Sequence, residues 1–324
     1  MANDNPHYFH AEAHALRGKI ELPVNAEIRP QAFVKLAGTL EQLSNGEGKR
    51  NYLSQHAKNY RLEGIISYCG AHTQVSGHES KKHPGASVTL ATSVVENLNI
   101  LNVVTADRVV AQISTTHFPD QYVPEVTFLG THFENLRIAR HKVIPILNLK
   151  LAGQKPENDQ HYVADNTSLM SVVKEQYKNL AGWLKGRNGM RAAGPDGSLT
   201  LQYYGGKPDY NKIQSDVASA READGTSDGI TCSLVEDVVI EPIKDGSETS
   251  ERDANELVDG KCGHVIHIPD FGTIFLAELK VNHNSFDLTM IRVELGCIAD
   301  GDASMVHCNA NGKGHPIAPP PPTP

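Results

Sequence analysis

The tightest constraint on this chain is a two-residue period of apolar side chains that returns again and again without helical stretches between. From Leu101 to Thr115 the odd positions Leu101, Val103, Thr105, Asp107, Val109, Ala111, Ile113 and Thr115 alternate with Asn102, Arg108, Gln112 and Ser114. Successive strand side chains point to opposite faces, so this pattern buries one face of a strand. Similar β-branched segments run over Tyr60–Val75, Ser87–Val95, Val126–Leu129 and Leu136–Leu147, separated by Gly, Pro, Asn and Asp clusters. Short strands without alternating helices predict a mainly β fold, an antiparallel sandwich or barrel, and not a doubly wound sheet. Strands return late in the chain. Phe271, Phe275, Ala277, Leu279 and Val281 read as one face, and Ile291, Val293, Leu295 and Cys297 as another.

The middle breaks this rhythm. Leu169, Val172, Val173, Leu180 and Leu184 recur at helical spacing, with Asn166 or Thr167 as the start signal and Gly186 as the stop. A weaker helical pattern spans Lys212–Ala223, with a hairpin pattern at Leu199–Tyr204. The organisation that follows is a β-rich block over 1–150, a helical and loop insertion over 151–228, a β-rich block over 229–318 completing the same or a second β domain, and a Pro-rich tail over 319–324.

Charge narrows the partners. The net charge is −8, but Asp216–Asp259 alone holds thirteen acidic residues against Arg221, Lys244 and Arg252. The rest of the chain is therefore near neutral, at +2. A net acidic balance disfavours a phosphate-backbone binder, whose affinity comes mainly from clustered Lys and Arg that release counterions, so nucleic acid is not an expected partner. The acidic stretch lacks the ordered ligand spacing of an EF-hand, and its second half, Lys244–Gly260, reads as a solvated loop. No apolar run approaches a membrane span. The N-terminus, with His7, His10, Glu12, His14, Arg17 and Lys19, does not read as a standard secretory signal.

Cysteine usage adds little chemistry. Cys69, Cys232, Cys262, Cys297 and Cys308 are odd in number and form no C-x-x-C pair. Asp300-Gly301 reads as a two-residue hairpin turn, which would set Cys297 opposite Ser304 and out of bonding reach of Cys308. Cys69 could serve as a nucleophile only with a distant His and Asp. Phosphate loops, dinucleotide fingerprints, nucleophile elbows and zincin motifs are missing. Asp270-Phe271-Gly272 spells a kinase tripeptide without its companions and reads as a turn after Pro269.

The sharpest chemical cluster is His10-Ala11-Glu12-Ala13-His14. On a strand His10, Glu12 and His14 share one face, opposite Phe9, Ala11, Ala13 and Ala15. Two imidazoles and a carboxylate suit a divalent metal such as zinc, although same-face neighbours lie about 7 Å apart along a strand. Otherwise no cofactor is expected. Sixteen histidines in all make sensitivity to mild acid an expectation. Carbohydrate is a further candidate ligand, with Tyr203, Tyr204 and Tyr210 as stacking platforms in a chain of only 6% aromatics.

Two stretches resemble a known family. LNILNVVTADRVVAQISTTHF with VTFLGTHFENLRIARHKV, and GHVIHIPDFGTIFLAEL with LTMIRVELG, are similar to segments of the bacterial choice-of-anchor P family proteins. These segments cover 65 of the 324 residues and flank the insertion. Arg140 stands where the family pattern has Gly. The resemblance implies a β-rich surface or secreted domain, a cell-surface or extracellular location, and no catalytic residues. The first expectation is thus a non-catalytic β-rich interaction or structural protein, partnered by itself or another protein and self-assembling. The alternatives are a metal-dependent hydrolase using the His/Glu cluster and a carbohydrate-binding module.

Overall fold

The computed structural model describes residues 7–44, 51–119, 121, 123–156, 162–163, 165–186, 230–241, 260–269, 271–281, 285–296 and 300–313. They form strands β1 (Tyr8–Leu22), β2 (Ala26–Gln31), β3 (Val34–Thr39), β4 (Tyr52–Leu62), β5 (Ile66–Glu79), β6 (Ser87–Ile100) and β7 (Val104–His117). These are followed by β8 (Glu125–Thr127), β9 (His132–Glu134), β10 (Arg137–Ile138) and β11 (His141–Leu147). Then come β12 (Ile230–Ser233), β13 (Val235–Glu241), β14 (Lys261–Cys262), β15 (Val265–Ile268), β16 (Gly272–Val281), β17 (Phe286–Leu295) and β18 (Asp300–Lys313). Helix α1 (Leu40–Ser44) follows β3, and α2 (Thr167–Gly186) lies in the middle of the chain.

The strands make two antiparallel sheets. Sheet A runs β14-β15-β16-β17-β18-β1-β2, with β12 on β16 and β3 on β1; sheet B runs β13-β11-β10-β7-β6-β5-β4, with β8 and β9 on β7. The first and last parts of the chain are interleaved: β18 pairs with β1, and β13 with β11. The chain crosses from sheet A to sheet B at Leu234, whose N–H donates to the Ala277 carbonyl and whose carbonyl accepts from the Asn148 N–H.

Small side chains let the two sheets approach. Ala11, Ala13, Ala91, Ala111, Ala303 and Ala310 are fully buried, and a Cβ on Gly77 would lie 2.5 Å from Phe9 Cδ1. Polar side chains cross the gap to open backbone carbonyls: Ser93 Oγ donates to His14, Thr73 Oγ1 to Ala32 and Cys308 Sγ to Ala111. Larger residues such as Phe9, Phe128, Phe286, Ile66 and Ile100 fill the rest of the core.

Both sheets carry a transverse row where strands change their inward phase. In sheet B, Asn59, Asn97 and Asn135 have φ of 54°, 53° and 49°; they align with Cys69 and Asp107 on the strands between, in ladders whose register does not shift. Below this row the buried residues are Val104, Ala106, Leu98 and Ile100; above it they are Val109, Ala111, Val95 and Ala91. The single odd-numbered face expected over Leu101–Thr115 is thus corrected. Leu101–Val103 is a turn, and the inward side switches at Asp107. In sheet A the row is Ala277 (φ 47°), Met290, Val306 (φ 58°), Ala15 and Ala32 (φ 48°). It overturns the shared face expected for Phe275 and Leu279: Phe275 pairs with the outward Arg292, and Leu279 with the inward Leu288.

The expected hairpin turn at Asp300-Gly301 is also wrong. Gly301 already pairs with Leu295 inside the β17–β18 ladder, and Ser304 faces Arg292 instead of Cys297. Cys297 lies outside the described residues; Cys69, Cys232, Cys262 and Cys308 form no disulfide. The continuous segment expected over Tyr60–Val75 breaks at a turn whose Glu63 and Gly64 have φ of 43° and 74°. The expected turn before β16 is present: Phe271 N–H donates to the Ile268 carbonyl. A Cβ on Gly272 would sit 2.0 Å from the Glu294 carbonyl oxygen.

The α2 expectation holds at its start and along its described apolar face. Asn166 Oδ1 accepts from the Leu169 N–H at 3.0 Å while its Nδ2 donates to the Ala152 carbonyl at 2.8 Å, so this N-cap also pins the helix to the preceding loop. Leu169, Val173, Tyr177 and Leu180 bury one side. The helix expected over Lys212–Ala223, the Leu199–Tyr204 hairpin with Tyr203 and Tyr210, the acidic loop before Gly260 and the Pro-rich tail lie outside the described residues. Among the described residues no helix is long and apolar enough to cross a membrane.

Candidate functional site

The β1 cluster lies on the outer face of sheet A. Phe9, Ala11 and Ala13 are buried, so His10, Glu12 and His14 face outward, as their alternation requires. Their neighbours then separate them. Glu12 sits 3.5 Å from Lys35 Nζ across β3. His14 pairs with His307 of β18, ring against ring at 4.6 Å and 22°. Among the described residues no three His, Cys, Asp or Glu side chains group so as to hold a metal ion.

From His14 and Glu12 a polar lattice extends across β18 and β17. Thr289 Oγ1 lies 3.0 Å from His307 Nδ1, and His307 Nε2 lies 3.8 Å from Asp287 Oδ1. Asn309 Nδ2 donates to Asp287 and to Ser285 Oγ. Burial and the nearby Arg17 push His14 down to about 3 and His307 to about 4; His14 is further lowered by His307 itself. Burial raises the Asp287 carboxyl, against the opposing Asn309 hydrogen bond. The hydroxyl, imidazole and carboxylate stand in nucleophile order. However, an imidazole near 4 is a weak base, and the long Asp287 contact orients it poorly.

Beyond the phase row the same face continues as a buried ionic group. Arg292 Nε and Nη2 fork onto Glu278 at 2.6 and 3.0 Å, Nη1 reaches Glu294, and the guanidinium lies 3.6 Å over the Phe275 ring. Two carboxylates thus share one guanidinium in a setting where all three residues are buried. Burial raises Glu294 against the attraction of Arg292. His264, whose strongest charged neighbour is Glu278, is pushed by burial to about 4.

A cleft of about 300 Å³ opens between α2 and the β14–β15 hairpin, at the point where the chain changes sheets. Gln176 fixes the two walls by receiving the Ser233 N–H and donating to the Ser233 carbonyl, both at 2.9 Å. The sequence held a signal for this wall: Val172, Glu175, Gln176, Asn179 and Leu180 fall on one helical face. Cys262 and His264 also line the cleft, far in sequence from α2 and joined to it only by the fold.

A third feature sits at the other sheet. Ile144 and Val239 are directly paired, and with Ile146 they stand 36%, 42% and 44% exposed on the outer face of β11 and β13. The Lys142–Glu241 ion pair flanks them at 3.1 Å. Cys69, weighed as a nucleophile, is exposed in the phase row of sheet B.

These elements define an antiparallel β-sandwich protein whose polar features lie on the outer faces and at the sheet ends. The chain belongs to the family described as a domain of unknown function, DUF8256, whose pattern matches residues 7–282. No curated protein and no solved structure matches it. Asn135 Nδ2 donates to Asp107 Oδ2 at 2.7 Å, tying the T-A-D segment to the F-E-N-L segment.

Proposed function

We propose that the chain is a non-catalytic β-sandwich interaction protein that works by protein contact, its outer β11–β13 face associating with a second copy. The carrying observation is the patch of Ile144, Ile146 and Val239, branched apolar side chains exposed together on a regular sheet face. Open strand addition at β13 is disfavoured. Asp237 Oδ1 accepts the Val238 N–H, and Lys261 Nζ donates to the Val238 carbonyl, so this edge is blunted by side chains. A face-to-face two-fold contact remains, in which Lys142 of each copy meets the acidic Asp237 end of the other. The expected product is a closed dimer and not a filament. Light scattering across the micromolar range is the test: wild type should be dimeric, and Ile146→Lys with Val239→Lys monomeric and still folded. A monomer throughout, or a dimer untouched by both substitutions, overturns the proposal.

A surface or extracellular setting is supported by the choice-of-anchor resemblance alone. The zinc hydrolase alternative rests on the shared outward face of His10, Glu12 and His14.

A further inference from the structure

We propose that the start of β1 is a proton-operated latch: in mild acid His7, Tyr8 and Phe9 come away from the sandwich while the rest of the fold stays closed. The latch uses no residue of the β11–β13 face and stands independently of self-association.

The latch is built where two imidazoles meet inside the sandwich. Alternation turns His7 inward together with Phe9, and its ring lies edge-on to Phe9 at 4.7 Å and 4.7 Å from the ring of His117 at the end of β7. His117 is 5% exposed, and on the same inward face stand the fully buried, directly paired Thr89 and Thr115. His7 Nε2, His117 Nε2 and both threonine hydroxyls are buried and have no hydrogen-bond partner. A neutral imidazole is tolerated in such a setting. A protonated one brings a second donor and a charge, both costly without a partner.

The charges around the pair do not relieve it. Lys155, whose ammonium lies over Phe118 and donates to Gln121, repels a protonated His117, and Glu125 attracts that ammonium. His83 packs edge-on against Phe118 and adds a further titratable ring on this side. From β5, Glu79 ends the row that runs through Ser87 to His117, but it is exposed. From sheet A, Lys313 pairs with the outward Tyr8, and Glu41 of α1 is exposed. Burial is the first cause holding His7 near 4 and His117 near 3, His7 and Lys155 lower His117 further, and among the described residues no carboxylate counters this at either ring.

The β1 side is the one free to move. Tyr8 and Phe9 pair with Lys313 and Gly312 on β18 and with Thr39 and Gly38 on β3, so the last residues of both neighbours hold them. Strand ends open at lower cost than strand centres. His117 is instead followed by a turn in which the Gln121 N–H donates to the Phe118 carbonyl. Phe9 is the catch, seated on Gly77, where a Cβ would lie 2.5 Å from its ring.

Amide-resolved hydrogen exchange on the full chain at pH 7.5 and 6.0, corrected for the intrinsic rate, is the test. Both rings titrate near 6.5 once released, so the opening constant at Tyr8 and Phe9 should rise about fourfold per histidine and about 14-fold for the pair. Core amides, which open only with the whole protein and its other buried histidines, should rise far more steeply. His7→Leu with His117→Leu should flatten the response at Tyr8 and Phe9, and His7→Leu alone, at the very start of the strand, should leave about a fourfold rise. His14→Leu with His307→Leu should leave the larger rise intact. No rise at Tyr8 and Phe9, a rise as steep as that of the core amides, or a full rise surviving in His7→Leu overturns the proposal.

Discussion

Lowering the pH from 7.5 to 5 should unfold this protein through a small set of buried histidines. Burial is the leading cause that holds His7, His264 and His307 near 4 and His14 and His117 near 3. Two pairs make the charged state worse: His7 and His117 rings lie 4.7 Å apart, and His14 and His307 rings 4.6 Å apart. Each group is neutral in the folded state and protonates near 6.5 once the chain unfolds. The unfolded state therefore binds more protons, and stability rises with pH. Stability is full above 6.5 and is lost as pH falls from there through the folded values. At pH 5 a histidine kept neutral by folding costs about 2 kcal/mol, because the amount is set by the unfolded value. Five of them cost about 10 kcal/mol, comparable with the whole ~5–15 kcal/mol stability of a domain. Asp287 and Glu294 act in the opposite sense, since burial raises both and their protonation favours the folded state as pH falls. They offset part of the loss. The assay is urea unfolding by circular dichroism from pH 8 to 5, reading the slope of stability against pH. A slope near pH 5.5 approaching five protons taken up on unfolding is expected, and His14→Leu with His307→Leu should remove about two of them. A stability flat between pH 6.5 and 5, or a slope unchanged in that double variant, refutes the reasoning.

Three further outcomes follow from single contacts. Ala139 and Arg140 form the β10–β11 turn with φ of 47° and 69°, so Arg140→Gly should raise stability by about 1 kcal/mol, read as a higher Tm. A lower Tm would contradict the turn strain. Arg292→Leu leaves Glu278 and Glu294 buried without their guanidinium and should cost ~3–5 kcal/mol of unfolding free energy in urea melts at pH 7.5, against under 1 for an exposed pair. Excess zinc should leave Tm unchanged, because Glu12 is held by Lys35 and His14 stacks on His307. A stoichiometric ion lost in His14→Ala would instead establish metal binding at this cluster, the premise of the hydrolase alternative.

How much of this was legible depends on whether the physics is local. The α2 helix was, because its cap at Asn166 and its apolar spacing are sequence neighbours. The outward face of His10, Glu12 and His14 was too, since alternation within one strand decides it. The phase rows were half-legible. Asn59, Asn97 and Asn135 are residues that tolerate left-handed backbone, but Ala277 and Val306 give no such signal, so nothing local places Phe275 and Leu279 on opposite faces. Arg140 had a hint, standing where the resembling family has Gly and adopting the backbone that Gly favours. What the sequence could not supply was cross-strand company. His14 meets His307, and Glu278 meets Arg292, only after register is set. The cleft was hidden for the same reason, its helix wall and its Cys262 being joined by the fold alone.

The central claim is that this sandwich acts by contact through the β11–β13 face. Hydrogen exchange at 1 and 100 µM, read over 143–147 and 235–241, tests it most directly. Concentration-dependent protection confined to those segments, and lost in Ile146→Lys with Val239→Lys, is the expected result. Exchange independent of concentration, or protection confined to other strands, would contradict it.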